Sequence, residues 1–387
     1  MRWLLSLVFA AATVAAAERQ LTHSARNHAL DNNDNFSPDD RYLCVDTRGS
    51  GQAILRIDTR SGEESTIFGA GPTVIAASYH PKRDEVIFIH GPVGEPYVKT
   101  NRRGGVVGAD GAVRFLDYRD VASAVTPPGA HRGGTHRHEY NLEGTRVGFT
   151  YDDHLLPSYG RTVGMLVAHP QAPKGHWWFA NLVPIVPEAS AKPGDMVMAA
   201  GDSWVGAKGL MRAFIGRVKE ADGTFRNSLF VVDVPANVDV TTAFAGDRTQ
   251  YPRPPRGTRI RRLTTGEASG IVRGTRDGKW IAYVAADASA TKQVFVIPSQ
   301  GGTPKQVTHA PGGVQGGMRW HPSDTYLAAS TANGIVVTNW KTGKSVSLTE
   351  KGGDALVWSN DGKTLAFNRK VGEHLQVFVV PFTAGGF

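Results

Sequence analysis

The sequence is poor in cysteine and in long apolar runs, and it lacks the short motifs of several common enzyme classes. A single cysteine, Cys44, excludes a disulfide framework and a structural zinc site held by cysteines. After the first 17 residues, no stretch is long and apolar enough for a membrane span. There is no Gly-x-Ser-x-Gly elbow, Walker loop or dinucleotide fingerprint, which sets aside serine hydrolases, kinases and Rossmann enzymes.

Turn-forming residues are abundant instead. The 387 residues include 45 glycines and 22 prolines, and 41% of the chain is hydrophobic against 20% charged. This balance is typical of a folded protein and not of a disordered one. The turn formers predict an all-β protein made of many short strands, and they argue against a helical bundle.

Residues 1–17 have the pattern of a secretory signal peptide. Arg2 precedes an apolar run from Trp3 to Val14, and three alanines then lead to Glu18. We expect cleavage before Glu18 and a periplasmic or secreted protein without a membrane span. An uncleaved anchor is the alternative interpretation, although the apolar run is short for a span.

One sequence pattern recurs along the chain. It consists of an aromatic residue or its equivalent, a turn of the Ser-Pro-Asp-Gly type, and a strand, and its copies begin near residues 36, 79, 140, 275, 320 and 358. The long gap between the third and fourth copies holds WVGAKGLMRAFIGRV and LFVVDV, which indicate one degenerate unit. Six visible units and one inferred unit therefore give seven.

Each unit is a small antiparallel meander that cannot bury both faces alone. Stacking such sheets around an axis buries them. The sequence therefore predicts a single seven-bladed β-propeller domain over residues 18–387. The segment QLT at 20–22 matches the closing segments QVT and SLT, so we expect the N-terminus to supply the outer strand of the last blade.

The repeat resembles the TolB-like periplasmic propellers, and a closer resemblance is to an uncharacterised bacterial domain-of-unknown-function family of such propellers. The segments that carry the closer resemblance are RNH at 26–28, FIHGP at 88–92, RGGTHRH at 132–138, DH at 153–154, HW at 176–177, WVG at 204–206 and PPRG at 254–257. A more distant resemblance is to oligogalacturonate lyase, which implies a divalent metal bound by histidines at a channel mouth.

His136 and His138 are the leading candidates for metal ligands. Residues two apart in a strand project from the same face, and this pair precedes the turn at Tyr140 on a predicted innermost strand. His28 lies at a similar distance before the turn of its own blade, so it is predicted to reach the same channel mouth. We expect these three to hold a divalent metal, Mn, Zn or Ca; the alternative is a structural hydrogen-bonded pair.

Catalytic and substrate-binding candidates lie nearby in sequence. His154 follows the strand that returns to the rim where the pair begins, and Arg132 starts the same segment, so both are predicted to be catalytic. Trp177 and Trp204 are predicted to stack sugar rings from an irregular stretch, with Arg26 as a further substrate contact. Packing in the core is the alternative role of the tryptophans.

Three functions follow from these features. The first is a lyase that acts on acidic oligo- or polysaccharides, in which a metal or an arginine neutralises a uronate carboxylate and a neutral histidine removes the adjacent proton. The second is a non-catalytic TolB-like propeller that binds a protein of the cell envelope, and the third is sugar binding without turnover. The 43 basic and 35 acidic residues favour an anionic partner, but no nucleic-acid motif appears.

Overall fold

The computed structural model describes residues 17–31, 34–49, 52–69, 73–92, 97–108 and 110–387. The predicted signal peptide therefore lies outside the described residues, apart from Ala17. Within these ranges, no helix is long and apolar enough to cross a membrane.

Short antiparallel strands account for almost all regular structure. The strands of the described residues are β1 (Arg19–Gln20), β2 (Tyr42–Asp46), β3 (Ile54–Asp58), β4 (Glu64–Phe68), β5 (Val74–Tyr79), β6 (Glu85–His90), β7 (Arg103–Gly108), β8 (Val113–Phe115), β9 (Gly133–Tyr140), β10 (Arg146–Asp153), β11 (Thr162–Val167), β12 (Trp178–Asn181), β13 (Met196–Val205), β14 (Met211–Lys219), β15 (Phe225–Asp233), β16 (Arg259–Arg262), β17 (Ser269–Gly274), β18 (Trp280–Ala286), β19 (Lys292–Pro298), β20 (Lys305–Gln306), β21 (Val314–Trp320), β22 (Tyr326–Thr331), β23 (Gly334–Asn339), β24 (Ser345–Ser347), β25 (Asp354–Trp358), β26 (Thr364–Val371) and β27 (His374–Pro381). Three single-turn 3-10 helices complete the described part, at Glu188–Ser190, Val240–Thr242 and Ala384–Gly386.

The strands form seven sheets, which confirms the predicted seven-bladed propeller. The first sheet contains β2–β4, and the next five each contain four consecutive strands, from β5–β8 to β21–β24. The last sheet contains β25–β27 and takes β1 as its outer strand, because Arg19 and Gln20 pair with Val379 and Phe378. The predicted ring closure by the N-terminus is thus confirmed. The inferred fourth blade is also present as β13–β16.

The recurring turns need a backbone conformation that few residues adopt. Gly144, Gly278 and Gly362 have φ values of 71°, 75° and 74°, and the equivalent turns of two other blades carry Asp40 and Asp324 at 59° and 57°. Glycine enters this left-handed region without a steric penalty, and aspartate is one of the few other residues that tolerate it. The turn chemistry that marks the repeats in sequence is therefore the chemistry that their backbone requires.

The two left-handed aspartates also join neighbouring blades. Asp324 accepts hydrogen bonds from the backbone N–H groups of Arg276 and Asp277, both at 2.8 Å. Asp40 accepts from the backbone N–H groups of Asn360 and Asp361 in the last blade. Each carboxylate thus satisfies donors in the turn of an adjacent blade.

Almost every innermost strand contains a β-bulge. The first strand of each four-stranded sheet contacts the first strand of a neighbouring sheet around the axis and so lines the central channel. The pairing register of β5, β9, β13, β17, β21 and β25 with the next strand shifts part-way along. The bulged segments include residues with positive φ: Ala76, Arg137, Gly201, Gly270 and Ala355. A bulge places two residues opposite one and breaks the alternation of side chains.

Asn368 on β26 provides a test of the ring closure. Its side chain, 3% exposed, accepts a hydrogen bond from the Leu30 N–H and donates one to the His28 carbonyl, both at 2.7 Å. Asn368→Ala leaves two buried backbone groups of the N-terminal segment unsatisfied, so we expect it to lower the free energy of unfolding by about 1–3 kcal/mol. Denaturant unfolding measures this loss. Lys370→Ala on the same strand, where the side chain is largely exposed, is the control, and equal stability of the two variants would contradict the prediction.

Candidate functional site

His136 and His138 do not share a face of β9. His136 is opposite Thr150 in the strand pairing, and Glu139 is opposite Gly148, so Arg137 and His138 together face one residue of β10. Arg137 takes a φ of 60° at this bulge. The predicted convergence of the two imidazoles assumed regular alternation, which the extra residue removes.

His138 is a fully buried residue between the second and third blades. Its Nε2 lies 2.9 Å from the Thr135 hydroxyl, and its ring packs against Phe149. Gly104 on β7 leaves the room that the imidazole needs, because an added Cβ there would lie 3.0 Å from Nε2. Burial lowers the pKa of His138 to about 4. The structure thus gives His138 the structural role that was the alternative to a metal ligand.

His28 lies at the ring closure and not beside His136. It is fully buried, and its Nε2 is 2.9 Å from a Glu64 carboxylate oxygen on β4, the outermost strand of the first blade. Ser24 and Arg26 bind the same carboxylate, so the predicted substrate contact Arg26 is part of this closure. Ser24, His28 and Glu64 are not a catalytic triad, because hydroxyl and carboxylate approach the same ring nitrogen and leave no relay through Nδ1.

The two predicted catalytic residues are in different environments. Arg132 is 0% exposed, and its Nε donates to the Asp153 carboxylate at 2.9 Å. A group sealed in this way does not reach a substrate, so the catalytic assignment of Arg132 is corrected to a structural one. His154 is exposed at the rim, with Nδ1 3.3 Å from the Thr100 hydroxyl. Its backbone N–H donates to the Arg132 carbonyl, four positions and roughly 13 Å along the strands from His136.

Trp177 is in an irregular stretch, as predicted, whereas Trp204 belongs to a strand. Trp177 directly precedes β12 and packs against the core beside Tyr140. Trp204 is 6% exposed on β13, and its Nε1 donates to the Glu139 carbonyl at 2.9 Å. Packing is therefore the main role of both, although one edge of Trp204 lines a cavity of the channel.

The residues that were expected to bind a metal do not form a metal site. Within the part of the chain that the structure describes, no three His, Cys, Asp or Glu side chains are grouped so that they could hold an ion. His28 and His138 are both buried against other hydrogen-bond partners. The donor set does not fit a divalent metal.

His136 remains as an accessible imidazole in a positively charged part of the channel. It is half-buried, and no hydrogen bond to its ring occurs within the described ranges. Burial lowers the pKa of His136 to about 3, and the positive charges of Arg161 and Arg102 contribute to this shift. The imidazole is therefore neutral near pH 7, when one of its nitrogens donates a hydrogen bond and the other accepts one.

Two arginines lie close enough to this imidazole to lower its pKa, and a lysine lies beside the carboxylate that pairs with one of them. Arg161 pairs with Asp152 at 2.9 Å, and Lys99 lies 3.8 Å from the same carboxylate. Arg102 lies over the Tyr97 ring at 4.9 Å, and its Nε and Nη1 are buried without a hydrogen-bond partner among the described residues. Burial and the nearby Arg161 lower the pKa of Arg102. We call Lys99, Arg102, His136 and Arg161 the histidine end of the channel.

The opposite end of β9 lines a cavity of the channel. Its wall contains charged and indole side chains from six of the seven blades, among them Asp34, Glu139, Trp204, Arg273, Arg319 and Trp358. We call this part the tryptophan end.

Sequence reasoning missed its arginines, although Glu139, Arg273 and Arg319 occupy the same repeat position, directly before the turn. A charge at one position of several apolar inner strands was the signal. Arg102 and Arg161 lie outside the repeat pattern, so no repeated sequence feature indicated a role for them.

Comparison with protein families and curated proteins gives two matches. Residues 73–175 match the family described as protein of unknown function DUF3748. The chain is also similar to the uncharacterized protein YidR of Escherichia coli K12, with 31% identity over 395 residues that cover 91% of this chain and 94% of YidR. The expected resemblance to a family of unknown function is confirmed.

Solved propellers share the fold at low identity. The Cps50 (Swd1) propeller domain of Myceliophteria thermophila aligns with a TM-score of 0.55 at 12% identity, covering 95% of this chain and all of that domain. An oligogalacturonate lyase in complex with manganese aligns at 0.42 and 12% identity, covering 96% and 95% of the two chains. A putative TolB of Agrobacterium tumefaciens aligns at 0.44 and 12%, covering 95% and 94%. At such identity these likenesses concern the fold alone.

Proposed function

The chain belongs to the DUF3748 family, and we propose that the histidine end of its channel binds an acidic oligosaccharide through a sugar carboxylate. The observation that carries the proposal is the charge around His136. Arg102, Arg161 and Lys99 stand against one described carboxylate, Asp152, within contact of the group. A ligand that brings negative charge relieves this imbalance.

The chemistry of the side chains suits a uronate better than a simple anion. A guanidinium binds a carboxylate through parallel N–H donors. The neutral imidazole of His136 offers one donor and one acceptor, which suits the hydroxyl groups beside that carboxylate. The signal pattern over residues 1–17 supports a periplasmic or secreted location, where acidic polysaccharides occur.

Binding is tested by calorimetry with oligogalacturonate and with its methyl ester, which keeps the rings and removes the charge. We expect the acid to bind and the ester to bind at least about tenfold more weakly. Arg102→Gln and His136→Gln should each weaken binding of the acid by about tenfold or more. Arg60→Gln, which removes an exposed arginine from a turn of the first blade, is the control for net charge. Equal affinities for acid and ester, or no effect of Arg102→Gln, would contradict the proposal.

The same samples test whether binding leads to β-elimination. In that reaction a base removes the proton from the carbon next to the carboxylate, and the glycosidic C–O bond on the following carbon breaks as its oxygen leaves and takes up a proton. The C=C bond that forms between these two carbons is conjugated to the carboxylate and absorbs ultraviolet light. His136, with its pKa of about 3, is a weak base in the free protein. A bound carboxylate offsets the arginine charges and raises that pKa. Ultraviolet product that disappears in His136→Gln would support a lyase, and binding without product would support a binding protein.

A further inference from the structure

A loop of the second blade packs directly on the strand that carries His136. It consists of residues 97–102, and we call it the rim loop. The Thr135 N–H donates to the Arg102 carbonyl at 3.0 Å, so the loop meets β9 at the residue next to His136. A Cβ added to Gly134 would overlap a carbonyl oxygen of the loop. A residue without a side chain at this position therefore lets the rim loop approach the histidine closely.

Arg119 fixes the rim loop in this place. Its Nε donates to the Gly133 carbonyl at 3.0 Å, and its Nη2 donates to the Thr100 carbonyl at 3.2 Å. One guanidinium thus ties the start of β9 to the loop. Groups that are held in position before a ligand arrives lose less conformational freedom on binding, which favours binding by the side chains of this loop.

Tyr97 is the aromatic side chain of the rim loop, and its ring is held by two contacts. The guanidinium carbon of Arg102 lies over the ring, 4.9 Å from its centroid. On another side, a Cβ added to Gly91 would lie 3.0 Å from the ring carbon Cδ2, so the ring packs against a backbone that has no side chain there. The hydroxyl at the end of this ring is therefore near the Arg102 guanidinium.

The hydroxyl of Tyr97 is available to a ligand. The side chain is half-buried, and no hydrogen bond to its hydroxyl occurs among the residues that the structure describes. Burial raises the pKa of this hydroxyl, and the charge of Asp31 acts in the same direction. The charges of Arg102, Arg48 and Arg161 oppose the shift, so the pKa remains above its ordinary value. The phenol is protonated near pH 7 and is a hydrogen-bond donor.

Arg102 and Tyr97 together suit one carboxylate. Nε and Nη1 of Arg102 are buried without a hydrogen-bond partner within the described ranges. A guanidinium binds a carboxylate along its edge, in its own plane, so the ring of Tyr97 over the guanidinium carbon does not block the approach. A carboxylate accepts about four hydrogen bonds. Two from the guanidinium therefore leave acceptor positions for the phenol.

We propose that Tyr97 is a specificity-determining residue of the histidine end, whose hydroxyl donates a hydrogen bond to the carboxylate that Arg102 binds. The inference rests on the proposed saccharide function. A hydrogen bond to an ionised acceptor is roughly twice as strong as one to a neutral acceptor. Tyr97 thus adds to the preference for a uronate over its ester, and the ligand class is a saccharide with a free carboxyl group.

The test is calorimetry of Tyr97→Phe with oligogalacturonate and with its methyl ester. Phenylalanine keeps the ring against Arg102 and removes only the hydroxyl. We expect the acid to bind about fivefold more weakly than to the unaltered chain, and the ester to bind as it does to that chain. Tyr42→Phe in the first blade is the matched control, because Arg41 and Arg56 lie over the Tyr42 ring at 5.3 and 4.8 Å. This control should bind both ligands like the unaltered chain.

The outcomes separate this inference from the proposed function. If Arg102→Gln weakens binding of the acid but Tyr97→Phe binds it like Tyr42→Phe, the saccharide function stands and the role of Tyr97 is overturned. An equal loss for acid and ester in Tyr97→Phe also overturns that role, because the hydroxyl would then act on another part of the sugar or on the fold. If the unaltered chain binds acid and ester equally, the proposed function and this inference both fall.

Discussion

Arg132→Ala is expected to lower the free energy of unfolding by about 3–5 kcal/mol, the range for removing one partner of a buried ion pair. Arg132 is fully buried, and its guanidinium donates to the Asp153 carboxylate and to the carbonyls of Asp247 and Gln250. The substitution leaves Asp153 as an uncompensated charge. It also releases the segment between β15 and β16 from the third blade.

Denaturant unfolding of three variants measures this effect. Arg60→Ala, at an exposed turn position, is the control for loss of an arginine and should change stability by less than about 0.5 kcal/mol. Adding Asp153→Asn to Arg132→Ala should recover part of the loss, because an uncharged amide costs less to bury than a carboxylate. If Arg132→Ala unfolds at the same denaturant concentration as Arg60→Ala, the buried ion pair does not stabilise the ring.

The blade count was predictable because turn chemistry is local. Gly144, Gly278 and Gly362 sit at a left-handed position of the recurring turn, and Asp40 and Asp324 take the same position in other blades. Each turn therefore indicates the two strands that it connects, because the residues that identify the turn are close to those strands in the sequence. The N-terminal closing strand was predictable for a similar reason, because it repeats the short segment that ends other blades.

The site was predictable only in part, because it depends on departures from regular strands and on distant partners. The bulge at Arg137 breaks the alternation that would have brought His136 and His138 to one face, and arginine carries no general preference for a positive φ. Arg132 was expected at a substrate because it starts the segment that contains His136 and His138. Its carbonyl partners lie 115 and 118 residues away in sequence, and no local pattern reveals them.

Acidification from about pH 6.5 to pH 4 is expected to destabilise the ring strongly. A histidine in the unfolded chain titrates near pH 6.5, whereas burial lowers the pKa of His138 and His80 to about 4 and that of His136 to about 3. Between these values the unfolded chain binds protons that the folded chain does not. Acid therefore favours unfolding across this window, and the stability is fully present above it.

His138 should contribute the clearest share, because it is fully buried. Its pKa shift corresponds to a loss on the order of 2–3 kcal/mol at pH 4. Burial raises the pKa values of Asp46 and Asp324, and these two carboxyls oppose the trend because their folded forms bind protons more readily. The free energy of unfolding is still expected to fall as the pH falls, because the histidines with lowered pKa values outnumber these two carboxyls.

Urea unfolding at about pH 7.5, 6.5, 5 and 4 measures the slope across the window between the unfolded and folded pKa values of these histidines, and His138→Gln isolates the share of one residue. Glutamine places an amide nitrogen near the position of the imidazole Nε2 and does not titrate, so the contact with Thr135 is conserved in kind. The variant should lose less stability between pH 6.5 and 4 than the unaltered chain. His23→Gln, at an exposed position, should keep the full slope. A slope that is the same in both variants would mean that His138 takes up its proton without unfolding, and so that water reaches a ring which the packing of Phe149 and Gly104 excludes from solvent.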